Sequence, residues 1–192
     1  TARRLRELLG DELDPARTHV VPNAVDASHY LAARDLGGPR PWHDVPFTLG
    51  IGELKERKGH HLGVEAWCRV ARTRPDLHHF VVGKPSDEEY RRGLVDMAAA
   101  AGVGGRLHFL GNVSEEEKVD LLQRARVFLH TPVTARGGGF EGFGIVYLEA
   151  AASGTPSIGT RESGAEDAVV DGTSGFLVAP RVDDVAAALE RL

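Results

Sequence analysis

Short apolar runs alternate along this chain with stretches of helical spacing, and few arrangements of secondary structure satisfy that pattern. The runs are Thr18–Val21, Phe47–Ile51, Leu77–Val82, Leu107–Leu110, Val127–His130, Pro156–Ile158 and Phe176–Val178. Helical patterns fall at Lys58–Arg72, Asp87–Ala101, Ser114–Arg124, Phe143–Ser153, Ala165–Val170 and Val182–Leu192. Strands alternating with helices of this length build βαβ units around a parallel sheet covered on both faces. Their crossovers are right-handed in nearly all known cases. The expected fold is α/β, a Rossmann-like, doubly wound, mostly parallel sheet of about six strands. In such sheets ligands sit outside the carboxyl ends of the strands.

Capping residues support the helix boundaries. Ser114 and Glu117 have the spacing of a capping box ahead of Val119, Leu121 and Leu122, and Ser163 and Glu166 repeat it. Thr1–Leu9 reads as a short basic helix ended by Gly10. Leu36–Pro46 is the one stretch rich in Gly and Pro and reads as a loop. At 192 residues the chain suits one domain.

Composition narrows the function classes. Lys+Arg 23 against Asp+Glu 28 gives −5, which does not suggest a nucleic-acid partner. One cysteine, Cys68, forms no intrachain disulfide and no multi-cysteine zinc site; beside Trp67 and Val70 it is expected to be packed. No apolar run has the roughly 20 residues of a membrane span. His60-His61 and His78-His79 are adjacent residues whose side chains diverge, so no metal site is expected there.

The segment richest in chemistry is Gly137–Gly154, which follows one strand and opens a helix. Gly142 and Gly144 let a ligand approach the backbone. The amides of Gly142–Val146 are expected at a helix N-terminus, whose partial positive charge suits phosphate. Glu149 falls on the apolar face of this helix, where a carboxylate needs a partner; ribose hydroxyls and a neighbouring loop are both candidates. Glu141 in the preceding loop could accept a hydrogen bond from a sugar.

Glu141-Gly-Phe-Gly and Glu149-Ala, two glutamates with seven residues between them, resemble the signature of family-four retaining glycosyltransferases. Val21-Pro-Asn-Ala-Val-Asp26 is similar to that family's Pro-Asn-Gly-Val-Asp loop, and Lys58-Gly59 to its Lys-Gly. Val81–Gly83, Phe109–Val113, Ser163–Glu166 and Asp171–Val178 match later segments in order. The resemblance runs from about Val20 to Leu192 and implies one lobe of a two-lobed GT-B glycosyltransferase. Residues 1–19 would connect from a missing N-terminal acceptor lobe. Residues 20–192 would form the nucleotide-sugar-binding domain, cut short at its C-terminus.

By that resemblance Lys58 grips the donor diphosphate and Glu141 orients the transferred sugar, as the catalytic pair. Glu149 binds ribose, Gly142, Phe143, Gly144 and Ile145 contact phosphate or sugar, and Asn112 and Val113 border the base. The reaction is sugar transfer with retention and without a metal; the donor is UDP- or GDP-linked, with no cofactor. The whole protein would be cytoplasmic or peripheral to the membrane, and the isolated fragment inactive. One position departs from the family: five residues before Lys58, where an Arg is usual, stands Glu53. Arg57 is near in sequence, but a helix start need not aim it at the diphosphate. Glu53 favours the alternative of a catalytically silent nucleotide-sugar-binding module. A sugar-nucleotide epimerase or a phosphorylase on the same scaffold is a further alternative; Lys84 and Lys118 have no context of a Schiff-base lysine.

Overall fold

Phe47–Ile51 (β1) is buried at every position, as a central strand of a two-sided sheet must be. The computed structural model describes residues 7, 9, 10, 14, 16–134, 139 and 141–192. Among them β1 is joined by β2 (His78–Val82), β3 (Leu107–Gly111), β4 (Val127–Leu129), β5 (Ser157–Thr160) and β6 (Gly175–Val178). The order is β3-β2-β1-β4-β5-β6 and every pairing is parallel. The helices are α1 (Ala27–Leu31), α2 (His60–Ala71), α3 (Glu88–Ala100), α4 (Glu115–Arg124), α5 (Ile145–Ala152) and α6 (Val182–Glu190).

Strand alternation divides the interior into two cores. Val81, Val127, Leu129 and Ile158 pack with Trp67 of α2, Leu94 of α3 and Leu189 of α6. Phe47, Leu49, Phe80 and Phe128 face the other way, against Tyr30 of α1, Leu121 of α4 and Tyr147 of α5. Burying each such large apolar side chain stabilises the fold by about 1.5–3 kcal/mol. Trp42, from the Gly- and Pro-rich loop, closes the second core and donates Nε1–H to Asp120 Oδ2 at 2.7 Å.

The strand order reverses direction between β1 and β4, and at such a switch point the connections leaving the two strand ends diverge and leave a crevice. Gly59 fixes its width. Its φ is 68°, and a Cβ there would lie 1.6 Å from the Thr131 carbonyl oxygen. Thr131 donates its hydroxyl to the Gly59 carbonyl at 2.8 Å. The start of α2 therefore lies flush against the end of β4.

Several sequence expectations change. Thr18–Val21 is not a strand: among the described residues none offers it a ladder, Pro22 has no N–H to give one, and Val20 and Val21 are 62% and 84% exposed. The Ala165–Val170 helix is a 3-10 turn, Gly164–Asp167, in which Ser163 accepts from the Ala165 amide rather than from residue 166. The chain then folds back on Val170, whose carbonyl takes the Thr173 and Ser174 amides. Lys58 lies in a 3-10 turn, Glu56–Lys58, ahead of α2. The helix expected from Phe143 begins at Ile145, because Gly144, at φ 73°, is its left-handed cap. The Ser114–Glu117 capping box forms as expected. The Thr1–Leu9 helix lies largely outside the described residues.

Candidate functional site

Two cations converge on one carboxylate at the crossover. Lys58 Nζ lies 2.7 Å, and Arg57 Nη1 3.1 Å, from the same oxygen, Oε2 of Glu141. The Arg57 carbonyl accepts from the Val133 amide at 3.1 Å, which ties the 3-10 turn to the loop after β4. Glu141 is held in turn by its carbonyl, which accepts from the Gly164 amide at 3.0 Å. Gly164 has to be glycine because a Cβ would lie 2.3 Å from the Phe143 nitrogen. Two positive charges against one negative leave this corner able to accept a further anion. The first amides of α5 lie just beyond Gly144, where the helix dipole adds to that preference.

An open cleft of about 320 Å³ adjoins this corner along the ends of β1, β2 and β3. It is lined by Ile51, Gly52, Gly83, Asn112, Val113 and Lys118 among others. Lys58 links the two places, since a Cβ on Gly52 would meet its side-chain Cδ at 3.4 Å. Glu149 of α5 reaches the cleft through Lys118, which lines it. It is buried, and Lys118 Nζ pairs with its Oε1 at 3.2 Å and with Glu115 at 2.9 Å. Burial opposes the Lys118 ammonium, but Glu115 and Glu149 outweigh it and raise its pKa. Burial first, and then the Glu149 carboxylate, push the Tyr30 hydroxyl up.

Beneath the cations lie neutral histidines. Burial pushes His60 down to about 4, with Lys58 adding to the effect; its Nε2 lies 3.1 Å from the Gly52 carbonyl oxygen. His130, just past β4, is held well below its ordinary value by burial and by Lys58, His60 and Arg57. Among the described residues neither of its ring nitrogens has a hydrogen-bond partner. The positive charge of the corner is thus confined to Lys58 and Arg57, where Glu141 is.

The structure brings Lys58 and Glu141 into contact and places Gly142, Phe143, Gly144 and Ile145 directly after Glu141. Asn112 and Val113 line the cleft, and Glu149 meets that cleft through Lys118. Sequence reasoning missed two residues here. Arg57 points at Glu141, which the periodicity of a helix start gave no means to foresee, because the turn is 3-10. Lys118 is the partner of Glu149; its signal was an i,i+3 pairing with Glu115 on α4. Glu53 lines the same cleft, where its carboxylate accepts from Ser86 Oγ at 2.5 Å and pairs with Lys55 at 2.9 Å. Cys68 is buried, and burial raises its thiol to about 11. No group of three or more metal-ligating side chains occurs among the described residues, and no helix among them is long and apolar enough to cross a membrane.

A parallel sheet in this order, with cations and helix-terminal amides gathered at its crossover, defines a Rossmann-like domain with an anion-accepting switch point. The family described as glycosyl transferases group 1 matches residues 40–192, and the chain belongs to it. A glycogen synthase of Mycobacterium tuberculosis (strain CDC 1551 / Oshkosh) is 33% identical over 183 residues, 95% of this chain and 40% of that protein. A D-inositol 3-phosphate glycosyltransferase of Geodermatophilus obscurus is 36% identical over 201 residues, covering 98% and 42%. A GDP-mannose-dependent mannosyltransferase of Corynebacterium glutamicum, acting on a monoacylated phosphatidylinositol monomannoside, is 30% identical over 200 residues, covering 100% and 50%. The chain spans half or less of these relatives.

Solved GT-B glycosyltransferases share the fold. Anabaena HepE in complex with UDP-glucose superposes at a TM-score of 0.76 and 22% identity, over 93% of this chain and 48% of that one. The C-terminal domain of a group 1 glycosyl transferase, LpcC of Francisella tularensis, gives 0.72 at 24% identity, over 88% and 87%.

Proposed function

We propose that this chain is the donor-binding lobe of a retaining glycosyltransferase and holds a nucleoside diphosphate sugar, UDP- or GDP-linked, along the carboxyl edge of its sheet. The observation that carries the reading is the convergence of Lys58 and Arg57 on Glu141 beside the first turn of α5. In this reading the base lies by Asn112 and Val113, and Glu149 accepts from the ribose hydroxyls, sharing its carboxylate with Lys118. Lys58 meets the diphosphate, while Gly142, Phe143, Gly144 and Ile145 offer backbone to phosphate and sugar. Glu141 faces the transferred sugar.

Charge that develops on the departing diphosphate is then stabilised by Lys58 and the α5 amides, already in place before reaction. No metal or cofactor is assigned a part. The acceptor lobe would lie in a preceding segment of a longer protein, consistent with the share of its relatives that the chain spans. Closure of that lobe would exclude water, so the 192 residues alone are expected to bind donor without transferring it. We place the whole protein in the cytoplasm or at a membrane surface.

The test is transfer by the longer protein from a panel of UDP- and GDP-sugars, with the anomeric configuration of the product read by NMR. Retention with one donor supports the reading. Inversion, or donor binding without transfer, sinks it; the second outcome leaves a silent binding module.

A further inference from the structure

Arg57 has no assigned part in donor binding, yet its guanidinium shares a single carboxylate oxygen with Lys58 Nζ. Those two contacts hold the two cations within a few ångström of each other. Its side chain is 35% exposed, so a ligand can reach it, whereas that of Lys58 is 16% exposed. Among the described residues Glu141 is its only side-chain hydrogen-bond partner, and a guanidinium has five N–H donors. Its backbone is fixed at both ends of the 3-10 turn. Val133 donates to its carbonyl, and Lys58, the residue after it, donates its amide to the Lys55 carbonyl at 3.0 Å. The backbone that carries the side chain is therefore held, and the Glu141 contact sets the side chain's direction.

Glu53 feels the Arg57 charge but does not bond to it: Ser86 first, and then Lys55, hold its carboxylate and keep its pKa low, with Lys55 paired at 2.9 Å. We propose that Arg57 is the second cation of the diphosphate site, and that Glu141 in the empty protein holds Arg57 and Lys58 at the spacing the ligand uses. A diphosphate carries more negative charge on oxygens of two phosphorus atoms and can give each cation its own phosphate; a monophosphate has one phosphate for the two to share. A planar, forked guanidinium beside a compact ammonium also suits two different faces of such a ligand. This inference rests on the donor reading above.

Calorimetric titrations of UDP, UMP, GDP and GMP into the wild-type protein, Arg57→Ala and Arg57→Lys test it. The wild type should prefer the diphosphate of whichever base it binds. Arg57→Ala should lose about tenfold or more in diphosphate affinity, the usual scale for one charged hydrogen bond. Its monophosphate affinity should change much less, so that the preference collapses. Arg57→Lys should recover part of it. A merely structural fault would weaken both ligands alike, and that result, or unchanged diphosphate binding by Arg57→Ala, overturns the assignment of Arg57 and leaves the donor reading standing. A wild type that binds neither diphosphate overturns both.

Discussion

Glu141 and Glu149 carry the same functional group into different surroundings, and the surroundings separate their roles. Glu149 is packed between α4 and α5 with Lys118, a fixed position suited to a ligand part that does not change during reaction. Glu141 sits with the two cations where charge would develop. In the longer enzyme proposed above, Glu149→Gln should therefore mainly weaken donor binding, while Glu141→Gln should lower turnover more than donor affinity. Each loss should be on the order of 1.5–3 kcal/mol, tenfold to a hundredfold. Steady-state kinetics alongside donor titration separates the two, and if both variants stay within twofold of the parent, the glutamates are structural. Glu149 was legible in the sequence because an acidic residue on an apolar helical face needs a partner. Its partner Lys118 was not, because that contact crosses between two helices and depends on how they pack. Arg57 was hidden for a different reason: a 3-10 turn rotates each residue further than an α-helix does, so the direction of its side chain could not be taken from helical spacing.

At the scale of elements, the strands and helices were legible wherever burial was two-sided or a cap marked an end. β1 and the Ser114 cap of α4 are such cases. Thr18–Val21 misled because β-branched residues favour a strand only where a neighbouring strand exists. α2 and β2 carry a consequence for stability. Each buries a histidine, His60 held at about 4 and His79 at about 3, in both cases chiefly by burial; His130 beyond β4 is likewise depressed. In the unfolded chain histidine titrates near 6.5, roughly. Above that pH neither state binds the proton, and stability is at its full value. As pH falls through 6.5 the unfolded chain takes up protons that the folded chain refuses until near pH 4, so stability drops across that window. At pH 5 the loss should be about 2 kcal/mol for each of His60 and His79, relative to pH 7.5, with His130 adding in the same direction. Urea unfolding at the two pH values measures it. His130→Phe, which replaces a ring whose nitrogens have no partner among the described residues, should reduce the loss at little expense at pH 7.5. Equal stability at both values would contradict the account.

At the scale of the molecule, the sheet order places every candidate residue on one edge, although their numbers run from 57 to 149. The sheet order itself was not legible: apolar runs predict strands, but which strand lies beside which depends on long-range packing. Once the order is known, a single crevice between β1 and β4 follows. The opposite, amino edge has its own open cleft of about 740 Å³, lined by Trp42, Arg74, Arg124 and Arg126 among others. The two edges make rival predictions for an anionic ligand. Amide NMR of the 192-residue protein during titration with UDP and GDP compares them in one experiment. The account predicts that one nucleotide shifts Gly52, Lys58, Asn112, Val113, Gly142–Ile145 and Glu149, with the amino edge unmoved. Shifts confined to the residues around Trp42, Arg74 and Arg126, or no shifts with either nucleotide, would contradict it.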